Sequence, residues 1–156
     1  EKYREKSTMA RSVWWDKNVN SERGTLHLKE LFSGKIFDHP KPEETLSRII
    51  EMATRRDDIV LDFFAGSGTT GSVAMKMNRQ FILCEQMDYT KGITVERLKK
   101  VIAGEQGGIS KSVGWKSGGD FVYMELAKWN ENFMDEIKRA KSAYESSVRA
   151  RAHAAA

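Results

Sequence analysis

Residues 59–71, Ile-Val-Leu-Asp-Phe-Phe-Ala-Gly-Ser-Gly-Thr-Thr-Gly, constrain this chain more than any other stretch. Three β-forming residues, Ile59, Val60 and Leu61, run into Asp62. A small glycine-rich turn follows, and Thr69 and Thr70 open a helical pattern. The pattern predicts a buried strand, a tight loop and a helix start, which together make one ligand-binding βα turn. Glycines let the backbone approach a ligand closely, and the unpaired N–H groups of the helix start point at it.

Gly66, Gly68 and Gly71 match the G-x-G-x-x-G spacing of dinucleotide-binding turns, and Glu85 lies at about the right distance for a ribose hydroxyl. A triphosphate loop needs Lys and then Ser or Thr after its last glycine; here Ser72-Val73 follows. Asp62 argues against a dinucleotide. A carboxylate just before the loop repels a pyrophosphate, yet it suits a ligand bearing an ammonium and a sulfonium. S-adenosylmethionine (AdoMet) is such a ligand. An NAD-binding oxidoreductase fragment remains the alternative within the same fold class.

The run Asp62-Phe63-Phe64-Ala65-Gly66-Ser67-Gly68-Thr69-Thr70 resembles the AdoMet-binding D-x-F-x-G-x-G loop of amino-group DNA methyltransferases. Other segments resemble one branch, the modification (Mod) subunits of type III restriction–modification systems. They are Trp14-Trp15-Asp16, Asn20 to Thr25, Phe37-Asp38-His39-Pro40-Lys41-Pro42, and the Gly118 to Leu126 run. The likeness covers roughly residues 11–127. It implies a partial Rossmann-like α/β methyltransferase fold, three-layered with a mainly parallel sheet, followed by a C-terminal helix. It also implies that the Lys-Pro segment folds over the AdoMet site, which adds Phe37, Asp38 and Lys41 as cofactor-side residues. Asn20 and Thr25 are placed near the cofactor on the same ground.

With 156 residues, the chain is long enough for one ordinary domain with a real core. A hydrophobic content of 40% and a charged content of 31% describe a globular protein rather than a disordered one. No apolar run approaches membrane-spanning length, so no membrane partner is expected. The single cysteine, Cys84, excludes an internal disulfide and fits a reducing, cytoplasmic setting. A net charge of +4 tolerates nucleic acid without proving it.

Residues 1–36 read as linker and N-terminal extension, 37–127 as an AdoMet-binding half-domain, 128–150 as a helix and 151–156 as a tail. Trp14 and Trp15 are expected to pack against the domain, with stacking on bases as the alternative. Asn20 to Thr25 reads as a polar turn ahead of a short helix through Leu26, Leu28, Leu31 and Phe32. Pro42 suits a first helical turn, and Glu43 and Glu44 suit its positive dipole end. Leu46, Ile49, Ile50 and Ala53 then form an apolar face.

Asp57-Asp58 turns into the central strand, and Thr69 to Asn78 is a helix with Val73, Ala74 and Met77 inward. Phe81 to Glu85 is a second buried strand that leaves Glu85 placed to accept the ribose hydroxyls. Phe64 and Met87 are candidates for adenine contact. Tyr89 to Ala103 is an amphipathic helix whose Arg97, Lys99 and Lys100 form a solvated face. Gly104 to Gly119 is a connector, with a DNA-facing loop as the alternative. Phe121 to Leu126 alternates like a half-buried strand. The last helix carries a stripe of Trp129, Phe133, Ile137, Ala140, Tyr144 and Val148, which reads as a docking face.

Methylating an exocyclic amine needs a polar side chain and a carbonyl to orient the NH2, and an aromatic ring to stack on the flipped base. The amino-methyltransferases use an Asp/Asn/Ser-Pro-Pro-aromatic tetrapeptide for this. Pro40 and Pro42 are the only prolines and are not adjacent, so the tetrapeptide is absent and no catalytic residue is assigned. Cys84 follows Leu83 rather than a proline, which excludes a Pro-Cys nucleophile loop as well. No metal site is expected.

In the resembling branch the tetrapeptide lies upstream of the AdoMet loop. Together with a start at Glu1 rather than Met, this makes a cofactor-binding fragment of a DNA methyltransferase the expectation. Adenine-N6 over cytosine-N4 comes from the resemblance alone. The expected partners are DNA through the intact parent, another copy or the absent half against a bared sheet edge and face, and a restriction subunit. The competing reading from another class is a non-catalytic interaction module that keeps a methyltransferase fold.

Overall fold

The computed structural model of the chain describes residues 12–126 and 129–154. In chain order the described residues form α1 (Ser21–Phe32), α2 (Glu43–Ala53), β1 (Ile59–Asp62), α3 (Thr69–Lys76), β2 (Gln80–Leu83), α4 (Glu96–Ile102), α5 (Ser110–Val113) and α6 (Trp129–Ala154). The chain divides into two compact units between Phe121 and Val122.

The first unit is built on one parallel βαβ unit. β1 and β2 pair in parallel, with Val60 opposite Phe81 and Asp62 opposite Leu83, and α3 connects them. Successive side chains on a strand point to opposite faces. Val60 and Phe81 pack on a core of Ile50, Val73, Ala74 and Ile109, supplied by α2, α3 and the turn before α5. The opposite face is bare: Ile59, Leu61 and Ile82 are 59%, 50% and 51% exposed. The two strands, expected to be buried, are therefore half-buried, because helices cover only one side of them among the described residues.

Each element has a local cause. The Asn20 side chain caps α1 by accepting from the Glu22 N–H at 3.2 Å. The stretch from Ser21 to Thr25, expected to be a polar turn, is thus the first part of a helix. Gly24 is there for close approach rather than for turning: a Cβ on it would meet the Lys41 carbonyl carbon at 2.8 Å. Pro42 caps α2 with extended backbone, and Asn78, in the left-handed region, ends the turn after α3. Arg79 ties the ends of α2 and α3 together by donating to the Thr54 hydroxyl at 3.2 Å and the Thr54 carbonyl at 3.1 Å.

Further expectations are corrected. On α2 the covered positions are Glu43, Leu46 and Ile50, while Ile49 and Ala53 face outward. Trp15 is exposed, and it is Trp14 that packs, under the Arg48 guanidinium at 5.6 Å. The helix expected over Tyr89 to Ala103 forms as a 3-10 turn, a π-helical turn over Lys91–Val95, and then α4. The Gly104 to Gly119 connector contains α5 and buries Ile109 and Ser110, while most of its other residues are exposed; the Trp115 indole donates to the Val101 carbonyl at 2.9 Å.

In the second unit the alternating run Val122 to Leu126 is not a strand, since no neighbouring chain pairs with it among the described residues. Val122, Met124 and Leu126 are exposed. α6 continues to Ala154, past the expected end at 150, because Arg151-Ala-His-Ala are good or neutral helix formers with no breaker among them. Phe133, Ile137 and Tyr144 of its stripe are exposed. The expected terminal extension over residues 1–11 lies outside the described residues. No helix among those described is long and apolar enough to cross a membrane.

Candidate functional site

Asp62 ends β1 and opens the glycine loop. Gly66 (φ 52°) and Gly68 (φ 78°) both hold left-handed backbone, and Gly68 is the N-cap of α3. These two positions need glycine because side chains strain that region. The Asp62 carboxylate spans the loop, accepting from the Phe64 N–H at 3.0 Å and from the Thr70 hydroxyl at 2.5 Å. Two further bonds fix the loop from β2 and the π-helical turn. The Ala65 N–H donates to the Cys84 carbonyl at 3.0 Å, and the Thr94 hydroxyl donates to the Gly66 carbonyl at 2.6 Å.

A cleft of about 330 Å³ opens between this loop and the segment before α2. It is lined by Phe37, His39, Pro40, Lys41, Leu46, Asp62, Phe64, Ala65, Gly66, Ser67, Thr69 and Thr70. A second hollow of about 520 Å³ is lined by Lys35, Ile36, Phe37, Asp38, Tyr89 and Ile93, so Phe37 borders both. Phe37 meets Tyr89 edge to face, with ring centroids 5.2 Å apart. The Thr69 hydroxyl donates to the Lys41 carbonyl at 3.3 Å and joins the two walls of the cleft.

Most residues singled out in the sequence meet here. Phe37, Lys41, Asp62, Phe64, Ala65, Gly66, Ser67, Thr69 and Thr70 line the cleft, and Asp38 lines the second hollow. Phe63 is exposed and Gly68 is buried in the cap of α3; neither lines either hollow. Asp38 is paired at 2.6 Å with Lys35, which holds its carboxyl below the usual range.

Glu85 sits under the loop rather than in the cleft lining. Its carboxylate accepts from the Gly66 N–H at 2.9 Å, the Tyr89 hydroxyl at 2.9 Å, the Gln86 N–H at 2.9 Å and the Met87 N–H at 3.2 Å. Burial pushes its pKa up, but these bonds, that from Gly66 foremost, outweigh it and hold the group low. Four donors fill the lone-pair directions of a carboxylate. In this form Glu85 clasps the loop.

Behind the cleft lies a charge network that the sequence reading missed. Arg97, expected on a solvated face, is 2% exposed; Lys76 is 2% and Glu43 1% exposed. Glu43 accepts from Lys76 at 2.7 Å, Arg97 at 3.1 Å, the Ile109 N–H at 3.1 Å and the Ser72 hydroxyl. Lys76 also bonds Glu105, which His27 approaches at 3.3 Å. Burial opposes ionisation of Glu43, yet the charges of Arg97, Lys76 and His27 prevail and lower its pKa. Burial likewise raises Glu105, but hydrogen bonds from His27 and Lys76 bring it down to about 2.

Ligand-capable atoms of His27, Glu43 and Glu105 lie within 4.8 Å of one another, but the Lys76 ammonium bonds both carboxylates and supplies the positive charge there. The spacing held a signal for all three missed residues. Glu43 precedes Leu46 and Ile50 by three and seven, Lys76 follows Ser72 by four, and Arg97 falls midway between Ile93 and Val101.

Comparison with known proteins covers the stretch that builds this geometry. A family model described as DNA methylase, N6_N4_Mtase, matches residues 1–96. The "Probable type III restriction-modification enzyme HindVI Mod subunit" of Haemophilus influenzae is 55% identical over 129 residues, covering 81% of this chain and 16% of that protein. The StyLTI Mod subunit of Salmonella typhimurium is 43% identical over 77 residues, 46% of this chain and 12% of its own length. The EcoPI Mod subunit of Escherichia phage P1 is 37% identical over 84 residues, 50% of this chain and 13% of its own. A solved PvuII DNA methyltransferase (cytosine-N4-specific) is similar at a TM-score of 0.41 and 26% identity, covering 60% of this chain and 34% of that one; so partial an overlap adds nothing to the fold. The chain thus spans between 12% and 16% of the Mod subunits it matches. The family match takes in the Lys41 segment, the Asp62 loop and Glu85, and by it this chain belongs to the N6_N4_Mtase family of DNA methylases.

Proposed function

We propose that the cleft between the glycine loop and the Lys41 segment binds AdoMet, as the cofactor-binding part of a site-specific DNA adenine-N6 methyltransferase of a restriction–modification system. One observation carries this reading. The Asp62 carboxylate lines the cleft at the carboxyl end of a parallel strand, where ligands of such sheets bind, and its charge favours a cationic ligand over a diphosphate. The lining fits that ligand's chemistry: an acid for the cationic end, aromatic rings of Phe37 and Phe64 for the base, and a glycine backbone open to close approach.

When bound, AdoMet supplies an electrophilic methyl group. Asp62 holds the ammonium and sulfonium region, and Lys41 at the entry to α2 faces the carboxylate end. Glu85 orients the loop and takes the ribose hydroxyls by exchanging two of its present donors for them. Gly66 to Thr70 shape the floor, with Phe63 and Gly68 as supports, while Phe37 and Asp38 close the cofactor side.

The residues that orient a target amine are not in this chain, so it supplies the cofactor pocket and the rest of the parent enzyme supplies base and DNA recognition. DNA, the remainder of that enzyme and a restriction subunit are its partners, and the cytoplasm is its setting. The half-domain read over residues 37–127 gains α1 as a further support. The test is AdoMet binding by isothermal titration calorimetry, with methylation of DNA assayed in parallel. Binding without methyl transfer is expected; robust methylation by this chain alone overturns the division of labour.

A further inference from the structure

Two stretches of backbone far apart in sequence form the walls of the cleft: the glycine loop, and residues 39–41 before α2. Arg97 bonds to both sides. Its Nη1 donates to the Thr69 hydroxyl at 2.8 Å and the Ser67 hydroxyl at 3.2 Å. Its Nη2 donates to Glu43 at 3.1 Å, one residue beyond Pro42. Thr69, held by Arg97, donates onward to the Lys41 carbonyl. Nε is buried with no hydrogen-bond partner among the described residues, so the two terminal nitrogens make all of the side chain's hydrogen bonds. Arg97 does not line the cleft.

From this arrangement we infer that Arg97 is a positioning residue. It sets the spacing between the loop and the Lys41 segment through Thr69 and Glu43, and so governs cofactor affinity without touching cofactor. This rests on the AdoMet reading above. The residue type matters because a guanidinium holds two terminal nitrogens apart in a rigid planar fork, one for each wall, whereas a lysine's three donors all leave one nitrogen at the end of its side chain. Arg97→Lys keeps the charge and loses the bridge.

The test uses the intact protein with AdoMet as titrant and four forms: wild type, Arg97→Lys, Thr69→Val and the double variant. Each single change weakens binding by about tenfold or more, as small misplacements in a site do. The double variant binds no worse than the weaker single one, because both changes cut the same connection. Without AdoMet, amide hydrogen exchange in Arg97→Lys quickens at Thr45 and Leu46, whose N–H groups bond the Pro42 carbonyl, and over residues 65–68, and is unchanged in β1.

Wild-type affinity in Arg97→Lys, or effects that multiply independently, overturns the inference. So does unaltered exchange at Thr45 and Leu46. Where Arg97→Lys does not fold, exchange in Thr69→Val decides: quickening at Thr45 and Leu46 supports the bridge, and no change removes it. A wild type that binds no AdoMet instead defeats the cofactor reading, and the exchange measurements still judge the bridge on their own.

Discussion

The Lys76 ammonium lies 2.7 Å from a Glu43 carboxylate oxygen, with both side chains closed to solvent. The pair joins the N-terminal turn of α2 to the last turn of α3, behind the glycine loop that α3 extends. Removing one partner of such a pair leaves the other charge buried. Lys76→Met is expected to cost about 3–5 kcal/mol of stability, the range for breaking buried ion pairs. Urea unfolding measures this, and an unchanged midpoint would show the network to be dispensable.

The same network predicts how stability depends on acid. Glu105 is held at about 2, and Glu43 is also lowered, so both folded-state values lie below those of the unfolded chain. The unfolded state therefore binds more protons in the acid range, and stability falls as pH falls. The contribution is complete above the ordinary glutamate value of about 4.3 and is lost toward about pH 2. Thermal unfolding followed from neutral pH downward should drop steeply below that value. A flat profile through the acid range would contradict the assignment.

Gly24→Ala separates two causes of opposite sign. In a free helix alanine is favoured over glycine by roughly 1 kcal/mol. Here the new Cβ would meet the backbone of Pro40 and Lys41. The substitution is expected to destabilise by about 1–3 kcal/mol, the usual cost of overpacking, and to weaken AdoMet binding by shifting the Lys41 wall. A stabilised variant would mean that α1 does not press on that wall.

The βα turn was legible because Ile59 to Leu61, the glycines and the threonines each point the same way locally. The support behind it was not. Charges are ordinarily sorted to the outside; the spacing put Arg97, Lys76 and Glu43 at inward positions, but that they and Glu105 neutralise one another there is visible from three dimensions alone. Gly24 read as a turn because glycine's commonest use is conformational; its use here is small size against a neighbouring segment. Alternation over Phe121 to Leu126 marks a strand only where another strand is present to pair with it. The Glu85 spacing drew attention to a residue that holds the glycine loop, yet its present bonds to Gly66 and Tyr89 could not be read from spacing.

The bare sheet face carries a prediction about assembly. Ile59, Leu61 and Ile82 present contiguous apolar surface across the β1–β2 pair. Such a face is expected to be covered by another copy or by the rest of the parent enzyme. Leu61→Asp with Ile82→Asp should abolish self-association in analytical ultracentrifugation while changing monomer stability by less than about 1 kcal/mol. A wild-type chain that stays strictly monomeric at all concentrations would contradict the expectation.

The most direct test of the central claim is the affinity of AdoMet for Asp62→Asn by calorimetry. Asparagine keeps one oxygen for the Phe64 N–H and presents an NH2 from which the Thr70 hydroxyl accepts once it rotates, but it carries no charge. If the carboxylate attracts a cationic methyl donor, wild type binds AdoMet and the variant binds it at least about tenfold less well, near 1.4 kcal/mol. Equal affinity in the two proteins, or preferential binding of NAD by the wild type, would contradict it.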